Sequence, residues 1–503
     1  MNNQIRGDGA RGLDLPSAAA AFLKRELGSL IDGKVVDREA MVDVFDPASG
    51  EVIARVSTAS PKTVEAAVQS AHKAFEDGRW RMLRPADRER ILLRFADLVE
   101  KNGDELAALE TLNQGKSVRI ARMLDVGATV EFMRYNAGLA TKMSGETFDV
   151  SIPLPPGAKY TAYTRREPVG VVAGITPWNF PMMIALWKAI PALAAGCSII
   201  VKPSPVTPLT TLRVAELALE AGVPPGVFNV LMGDAEAGSA LASHPLVRKV
   251  SITGSTRAGK AVAHAAIENL AHFTLELGGK NPAIFLQDAD YPSNLHMILM
   301  SAFLNQGQVC AAASRFYVHR SIHDGFVDAV TSAIGKMRYG SGFDPEAQMT
   351  PLVSSAHRDN VARLVDMARD EGAIVTTGGR VPDGPGYFYP CTVITNANNA
   401  MQHVRAEIFG PVLSVIPFDT DDEAISLANE SSYGLAASLW TNDLRKAMNL
   451  VPRIQAGTVW VNSHNVLDPH MPFGGYKQSG MGREFGARAL EAYTDLKSVC
   501  IAH

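Results

Sequence analysis

The chain has 503 residues, 47% hydrophobic and 20% charged, with a net charge of −4 at pH 7. That length exceeds what one core usually fills, so two or three domains are expected. The charge is balanced and no long basic run stands out, which argues against nucleic acid or an anionic membrane as the main partner. The four cysteines, Cys197, Cys310, Cys391 and Cys500, are far apart and form no CxxC pair. This predicts a reducing, cytoplasmic setting and argues against a structural zinc site or any other metal centre.

In chain order, residues 1–60 read as a polar lead without the apolar core of a signal peptide, then short strands. Within 43–56 the turn signal Asp46-Pro47-Ala48-Ser49-Gly50 separates two β-prone runs. Ser60-Pro61 opens a helix, because Ser caps well and Pro suits the first helical position. Val64, Val68, Ala71 and Phe75 then share one face. A second helix starts near Pro85, with Ile91, Leu92, Phe95, Leu98 and Val99 as its stripe, and the helical pattern runs on to about Leu139. At 151–167, Tyr and Thr alternate with charged residues after a Pro/Gly turn. That is the pattern of an exposed β-ribbon able to pair with another subunit.

The longest charge-free apolar run, 169–187, approaches a membrane span in length. Gly170, Gly174, Pro177, Asn179 and Pro181 break it, so it reads as a buried strand, a turn and the start of a helix. Strands at 170–175, 198–202, 227–231 and 250–253 then alternate with helices at 181–195, 209–221 and 261–270. A second alternating region has helices at 293–306, 322–337, 356–371, 422–429 and 443–450. Its strands fall at 283–287, 315–319, 388–394, 412–417, 436–440 and 457–461. The fold class is therefore α/β, with parallel, doubly wound sheets whose ligands lie outside the carboxyl ends of the strands. A glycine-rich stretch, 471–486, precedes a short edge strand at 495–502.

Five features can carry chemistry. The stretch FLNQGQVCAAASR at 303–315 sets Cys310 among small and amide side chains with no base nearby. If its thiolate is the nucleophile, its helpers come from elsewhere. In PWNFP at 177–181 two prolines stiffen the backbone around Asn179, whose carboxamide can donate to an oxyanion; capping the next helix is the plainer role. Glu276, in the apolar run HFTLEL, has a raised pKa and serves as a general base if buried, whereas a solvent-facing strand Glu is commoner. SITGSTRAG at 251–259 follows a strand and opens a helix whose amides can approach a pyrophosphate, although its GxxxxG spacing is not the usual dinucleotide pattern. Lys202 ends a strand, and Glu407 precedes a Phe-Gly-Pro turn; each also reads as a solvated charge. Gathered in one cleft, they would make a nucleophile, a base, an oxyanion donor and a nucleotide cradle.

PWNFP at 177–181, ITGSTRAG at 252–259, LELGGKNP at 275–282, NQGQVC at 305–310, EIFGPV at 407–412, TVWVN at 458–462 and PFGGYKQSG at 472–480 resemble, in order, the motifs of the NAD(P)-dependent aldehyde dehydrogenase superfamily. The resemblance runs from about residue 30 to the end. It implies two doubly wound α/β domains: a Rossmann-like NAD(P)-binding domain of 1–149 and 169–278, and a catalytic domain of 279–478. Residues 150–168 and 479–503 would form a small β oligomerisation and bridging ribbon in a homodimer or homotetramer. It also implies Cys310 as nucleophile, Asn179 with the Cys310 main-chain N–H as oxyanion donors, and Glu276 as the activator of the water that hydrolyses a thioester. Lys188 and Glu484 match proton-relay positions. NAD, with NADP as a second possibility, would be held by Ile175, Thr176, Pro177, Trp178, Lys202, Gly233, Gly254, Ser255, Leu277, Gly278, Glu407 and Phe409. NAD-preferring members often carry Glu three residues after the lysine. Here that position is Pro205, which removes a repulsion against a 2′-phosphate.

Within the family, SIPLPPGAKY, FLNQGQVCAAASR, AGTVWVNSHNVLD and LKSVC resemble bacterial members that act on arylacetaldehydes. This implies oxidation of phenylacetaldehyde or a relative to the carboxylic acid. Phe180, Trp187, Val309, Leu467 and Phe473 would line the pocket, where aromatic edges can meet a phenyl ring; for Phe180 and Trp187 plain helix core is an equal reading. The alternatives are a dehydrogenase of another aromatic or aliphatic aldehyde, a cysteine-dependent esterase, a non-catalytic relative and a coenzyme-A-acylating variant. Retention of Cys310, Glu276 and Asn179 weighs against the last two.

Overall fold

The structure is a computed structural model that describes residues 15–36, 40–152 and 155–503. The polar lead at 1–14, and Pro153 and Leu154 of the predicted ribbon, lie outside the described residues.

Two parallel sheets organise the chain. Across the first the order is Lys34–Val36, Ser29–Ile31, Phe228–Val230, Ser198–Lys202, Val171–Ile175, Val247–Thr253, His272–Glu276 and Gly480–Met481. The run from Phe228–Val230 to His272–Glu276 is parallel. The additions at its two edges are antiparallel. The second sheet orders Ile374–Thr377, Thr392–Thr395, Val412–Phe418, Ala313–His319, Asn281–Phe285, Ala436–Trp440 and Thr458–Val461. Only its first pairing is antiparallel.

Strand alternation sends each sheet into two cores. Val172 packs on the side of the helix Pro181–Ala195, whereas Val171, Ala173 and Ile175 join Val64 and Val68 of the helix Pro61–Glu76 on the other. In the second sheet Ile284 and Ile416 face one cluster, and Ala283, Phe285 and Val415 the opposite one. The expected α/β architecture with two doubly wound layers is therefore present. The apolar run at 169–187 is a strand, a turn and a helix, and no helix among the described residues is long and apolar enough to cross a membrane.

The ribbon is a separate three-stranded sheet. Tyr160–Pro168 lies between Thr147–Phe148 and Thr494–Ala502, so the C-terminal strand sits at an edge, as expected.

Several boundaries differ from expectation. The helical pattern from Pro85 breaks at Lys101 and again at Gly115, whose φ of 93° caps a helix. It resumes through a π-helical stretch, Ala121–Ala128. The helix expected at 261–270 is Thr256–Ile267, because Ser255 caps it from the N-terminal side. The helix expected at 293–306 ends at Phe303, and the strand expected from 388 begins at Thr392. Ser17–Leu23, Ala235–Ala242 and the half-exposed strand Ile374–Thr377 were not predicted. They are short, and two are rich in alanine, so neither period stands out.

Candidate active site

The loop after Val171–Ile175, the end of His272–Glu276 and the segment before Ala313–His319 converge where the two sheets meet. Local backbone chemistry sets each one. Pro181 occupies the first turn of its helix, and the cap position is Phe180 with no side-chain cap bond. Asn179 does not cap this helix. Its Nδ2 instead donates to the Gln308 carbonyl at 2.9 Å, two residues before Cys310. One amide hydrogen remains free.

The chain reaches Cys310 through three consecutive left-handed residues, Asn305, Gln306 and Gly307, with φ of 49°, 58° and 71°. Gly307 is obligatory here: a Cβ would lie 2.3 Å from the Gly410 carbonyl oxygen. Beyond the cysteine, Asn281 Nδ2 donates to the carbonyls of Cys310 at 2.7 Å and Ala312 at 2.9 Å. His464 Nε2 bonds the Ala311 carbonyl at 2.8 Å. Both ends of the nucleophile's loop are thus tied down. Burial pushes the Cys310 thiol up to about 12, and the charges of Glu276 and Glu407 push the same way; amides of Ala311 and Cys310 oppose them.

Glu276 is the last residue of its strand and is buried, with neither carboxyl oxygen bonded within the protein. Burial holds its pKa well above the usual carboxylate range, the nearby Glu484 charge adds to this, and Lys188 and Arg483 oppose it. Lys188 Nζ donates to Glu484 Oε1 at 2.6 Å and to Ser251 Oγ at 3.2 Å. The segments of Asn179, Glu276 and Cys310, three of the candidates expected in one cleft, are brought together.

Most of the predicted nucleotide residues lie at or just beyond strand ends of the first sheet, whereas Glu407 and Phe409 precede a strand of the second. Lys202 is buried, not a surface lysine. It donates to the carbonyls of Gly233 at 2.8 Å and Pro203 at 3.1 Å, and burial lowers its pKa to about 8. The Lys202 carbonyl accepts from Thr176, whose buried Oγ1 has no protein partner. Ile175 ends the central strand of this sheet, and Pro177 and Trp178 follow Thr176 into the loop. Gly254 donates its amide to the Glu276 carbonyl at 3.0 Å, and Ser255 Oγ accepts from Ala258 N at 3.2 Å. Leu277 N donates to the Ser479 carbonyl at 2.9 Å.

Glu407 is half-buried, and desolvation raises its pKa to about 7. It accepts from Gly279 N at 2.9 Å. A Cβ on Gly278 would lie 2.0 Å from its Oε2, so only glycine permits this approach. The Phe409 ring meets Trp178 edge-on at 5.2 Å, and its carbonyl bonds His357 at 2.8 Å. A helix start, a Thr176 hydroxyl with no partner in the protein, a buried lysine and a half-buried carboxylate together fit a dinucleotide.

Next to Cys310 lies a cavity of about 580 Å³, a size typical of small-molecule sites. All five predicted pocket residues, Phe180, Trp187, Val309, Leu467 and Phe473, line it together with Cys310. Sequence reasoning missed Phe485, Met183, Ile184 and Leu304 of the same wall. Phe485 packs edge-on against Trp187 at 4.6 Å; the only hint in the sequence was an aromatic residue inside a glycine-rich stretch next to Glu484. Asn281 was also missed, although it lies in the LELGGKNP motif.

The profile of the Aldehyde dehydrogenase family matches residues 35–499. The chain is 46% identical over 479 residues to a phenylacetaldehyde dehydrogenase of Pseudomonas fluorescens, covering 94% of this chain and 95% of that protein. It is 42% identical to a betaine aldehyde dehydrogenase of Cereibacter sphaeroides, covering 94% and 96% of the two chains. Its fold superposes on the NAD+ complex of an aldehyde dehydrogenase from Bacillus cereus with a TM-score of 0.94 and 42% identity, over 97% of this chain and 99% of the other.

Proposed function

The chain belongs to the aldehyde dehydrogenase family, and from that premise we propose that it oxidises phenylacetaldehyde or a related arylacetaldehyde to the carboxylic acid. The enzyme is an NAD(P)-dependent oxidoreductase acting on an aldehyde. The observation that carries the finer reading is the apolar cavity beside Cys310 and the aromatic side chains in its wall.

Cys310 Sγ gives its proton to Glu276, which passes it on through the Lys188–Glu484 pair, and the thiolate so formed adds to the carbonyl carbon of the aldehyde. Negative charge develops on the oxygen, and two fixed donors meet it: the free hydrogen of Asn179 Nδ2 and the main-chain N–H of Cys310. When bound, NAD(P)+ supplies the hydride acceptor. The residues that would hold it are Lys202 and Glu407 for the ribose hydroxyls, the first turn of Thr256–Ile267 for phosphate, and Phe409 and Trp178 as apolar wall; Ile175, Thr176, Pro177, Gly233, Gly254, Ser255, Leu277 and Gly278 would shape the cradle. The acyl group then remains on Cys310 as a thioester. Glu276 takes a proton from water, the hydroxide adds to the thioester carbon, and Sγ leaves. The raised pKa of Glu276 suits a base that works near neutral pH, and the Lys188–Glu484 pair passes the proton on.

Betaine aldehyde is the second reading, because several relatives carry that name. A quaternary ammonium seeks the open faces of aromatic rings. Here the Lys116 ammonium already sits 4.1 Å from the centre of the Phe180 ring, and Phe485 packs edge-on against Trp187. A neutral phenyl group avoids that conflict, which supports the arylacetaldehyde. The proposed coarse division is 1–149 with 169–278, 279–478, and 150–168 with 479–503, although Gly480–Met481 pairs with the first sheet and Thr147–Phe148 with the ribbon. The free edge of Thr494–Ala502 suits assembly with a second copy as a dimer or tetramer. The four unpaired cysteines suit a cytoplasmic enzyme.

Steady-state oxidation of phenylacetaldehyde, betaine aldehyde and a short aliphatic aldehyde, each with NAD+ and with NADP+, tests the proposal. The highest kcat/KM is expected for phenylacetaldehyde. A higher value for betaine aldehyde would overturn the substrate assignment, and the same turnover without nucleotide would overturn the redox chemistry.

A further inference from the structure

A second group of charges lies behind the oxyanion loop, outside every motif discussed above. Lys116 Nζ donates to Asp125 Oδ1 at 2.8 Å and to the main-chain carbonyl of Asn179 at 2.9 Å. Glu110 Oε1 is 3.5 Å from the same ammonium, and Glu110 Oε2 accepts from Thr210 Oγ1 at 2.5 Å. The side chains of Lys116, Glu110 and Asp125 are at most 1% exposed. A buried lysine facing two ionised carboxylates would leave a net charge away from water, which is costly. A proton on Asp125 makes the cluster neutral. Consistent with this, burial holds the Asp125 carboxyl well above its usual range.

The cluster is built by unusual backbone. Lys116 follows Gly115, the left-handed helix cap. Asp125 lies in the π-helical stretch Ala121–Ala128, and π turns recur at functional sites. Leu124 and Ala128 of that stretch face the substrate cavity. One element therefore supplies both a wall of the pocket and a counter-ion for the lysine. Asn305 adds a second donor, Nδ2 to the same Asn179 carbonyl at 3.1 Å.

We propose that Lys116, held by Glu110 and Asp125, is a positioning residue for the reaction. It pins the Asn179 peptide from behind, so that the carboxamide keeps its free hydrogen aimed at the developing oxyanion. Asn179 is then held at both ends, by Lys116 and Asn305 on its carbonyl and by Gln308 on its amide. The inference rests on the oxyanion role of Asn179 given above. Its logic is geometric: a donor displaced by about 1 Å loses on the order of 100-fold in rate without losing any group that touches substrate.

The test is a double-mutant cycle. Lys116→Met and Asn179→Ala are made singly and together, and kcat, KM for the aldehyde, NAD+ affinity and cofactor-free hydrolysis of an activated ester are measured. Lys116→Met is expected to lower kcat by on the order of 10- to 100-fold, to lower ester hydrolysis in parallel, and to leave NAD+ affinity within about twofold. In the Asn179→Ala background the same change is expected to have almost no effect, because the group it positions is gone. Equal losses in both backgrounds, or no loss in the single variant, would overturn the proposal. If Asn179→Ala alone retains full kcat, the oxyanion reading itself fails, and that result is distinct from an additive cycle. Should Lys116→Met not fold, Asn305→Gly takes its place: it removes the other donor without touching a charge and tolerates the positive φ. A smaller loss, absent from the Asn179→Ala background, supports the proposal; an additive loss overturns it.

Discussion

Lys188 donates to Glu484 at 2.6 Å, and both side chains are almost wholly buried behind Glu276. The pair acts on the base with opposite signs: the Glu484 charge raises the Glu276 pKa and the Lys188 charge lowers it. Replacing one partner therefore moves the base in a direction fixed by which one is removed. Glu484→Gln is expected to shift the rising limb of the deacylation rate to lower pH, and Lys188→Met to shift it to higher pH. Single-turnover rates against pH check this. Shifts of the same sign in both variants would contradict the electrostatic account. Each variant is also expected to melt earlier, because breaking a buried ion pair costs about 3–5 kcal/mol.

In the proposed mechanism Asn179→Ala removes one of the two oxyanion donors. A loss of about 10²- to 10³-fold in kcat is expected, with NAD+ affinity unchanged. Stopped-flow hydride transfer and isothermal calorimetry separate the two quantities.

Burial raises the Glu407 carboxyl to about 7. Below that pH it is protonated and no longer a pure acceptor for ribose hydroxyls; above it the carboxylate is present. NAD+ affinity is therefore expected to tighten as pH rises through about 7, and to lose that dependence in Glu407→Gln. Titration calorimetry from pH 6 to 8 (roughly one unit either side) reads the difference.

Pro205 stands where a carboxylate would repel a 2′-phosphate. Pro205→Glu is expected to raise the KM for NADP+ by about 10-fold, equivalent to about 1.4 kcal/mol, while the KM for NAD+ holds or falls. Equal changes for both nucleotides would show that this position does not discriminate between them.

Much of this arrangement was legible in the sequence. The helices Pro181–Ala195 and Leu209–Ala221 and the strand Ser198–Lys202 fall where their apolar runs and bounding prolines and glycines place them. The ordered motifs named Cys310, Glu276 and Asn179, and the structure brings their segments together. What stayed hidden depends on long-range packing or on backbone that propensity does not encode. Lys116 and Asp125 meet through a π turn that 3.6-residue periodicity does not describe. Gln306 adopts a left-handed conformation that its residue type does not favour. Phe485 reaches the pocket from a stretch read only as glycine-rich. Solvent exposure stayed open where a charge sits at the end of a buried strand, as for Lys202, because a single sequence does not reveal what covers a strand end.

The central claim is that Cys310 carries the acyl group and Glu276 activates the water that releases it. Its most direct test is peptide mass spectrometry on Glu276→Gln, mixed with phenylacetaldehyde and NAD+ and quenched in acid. A phenylacetyl thioester is expected on the Cys310 peptide, accumulating to near stoichiometry while NADH appears in a single burst. A burst without any adduct at Cys310, or an adduct on Cys197, Cys391 or Cys500 instead, would contradict the account.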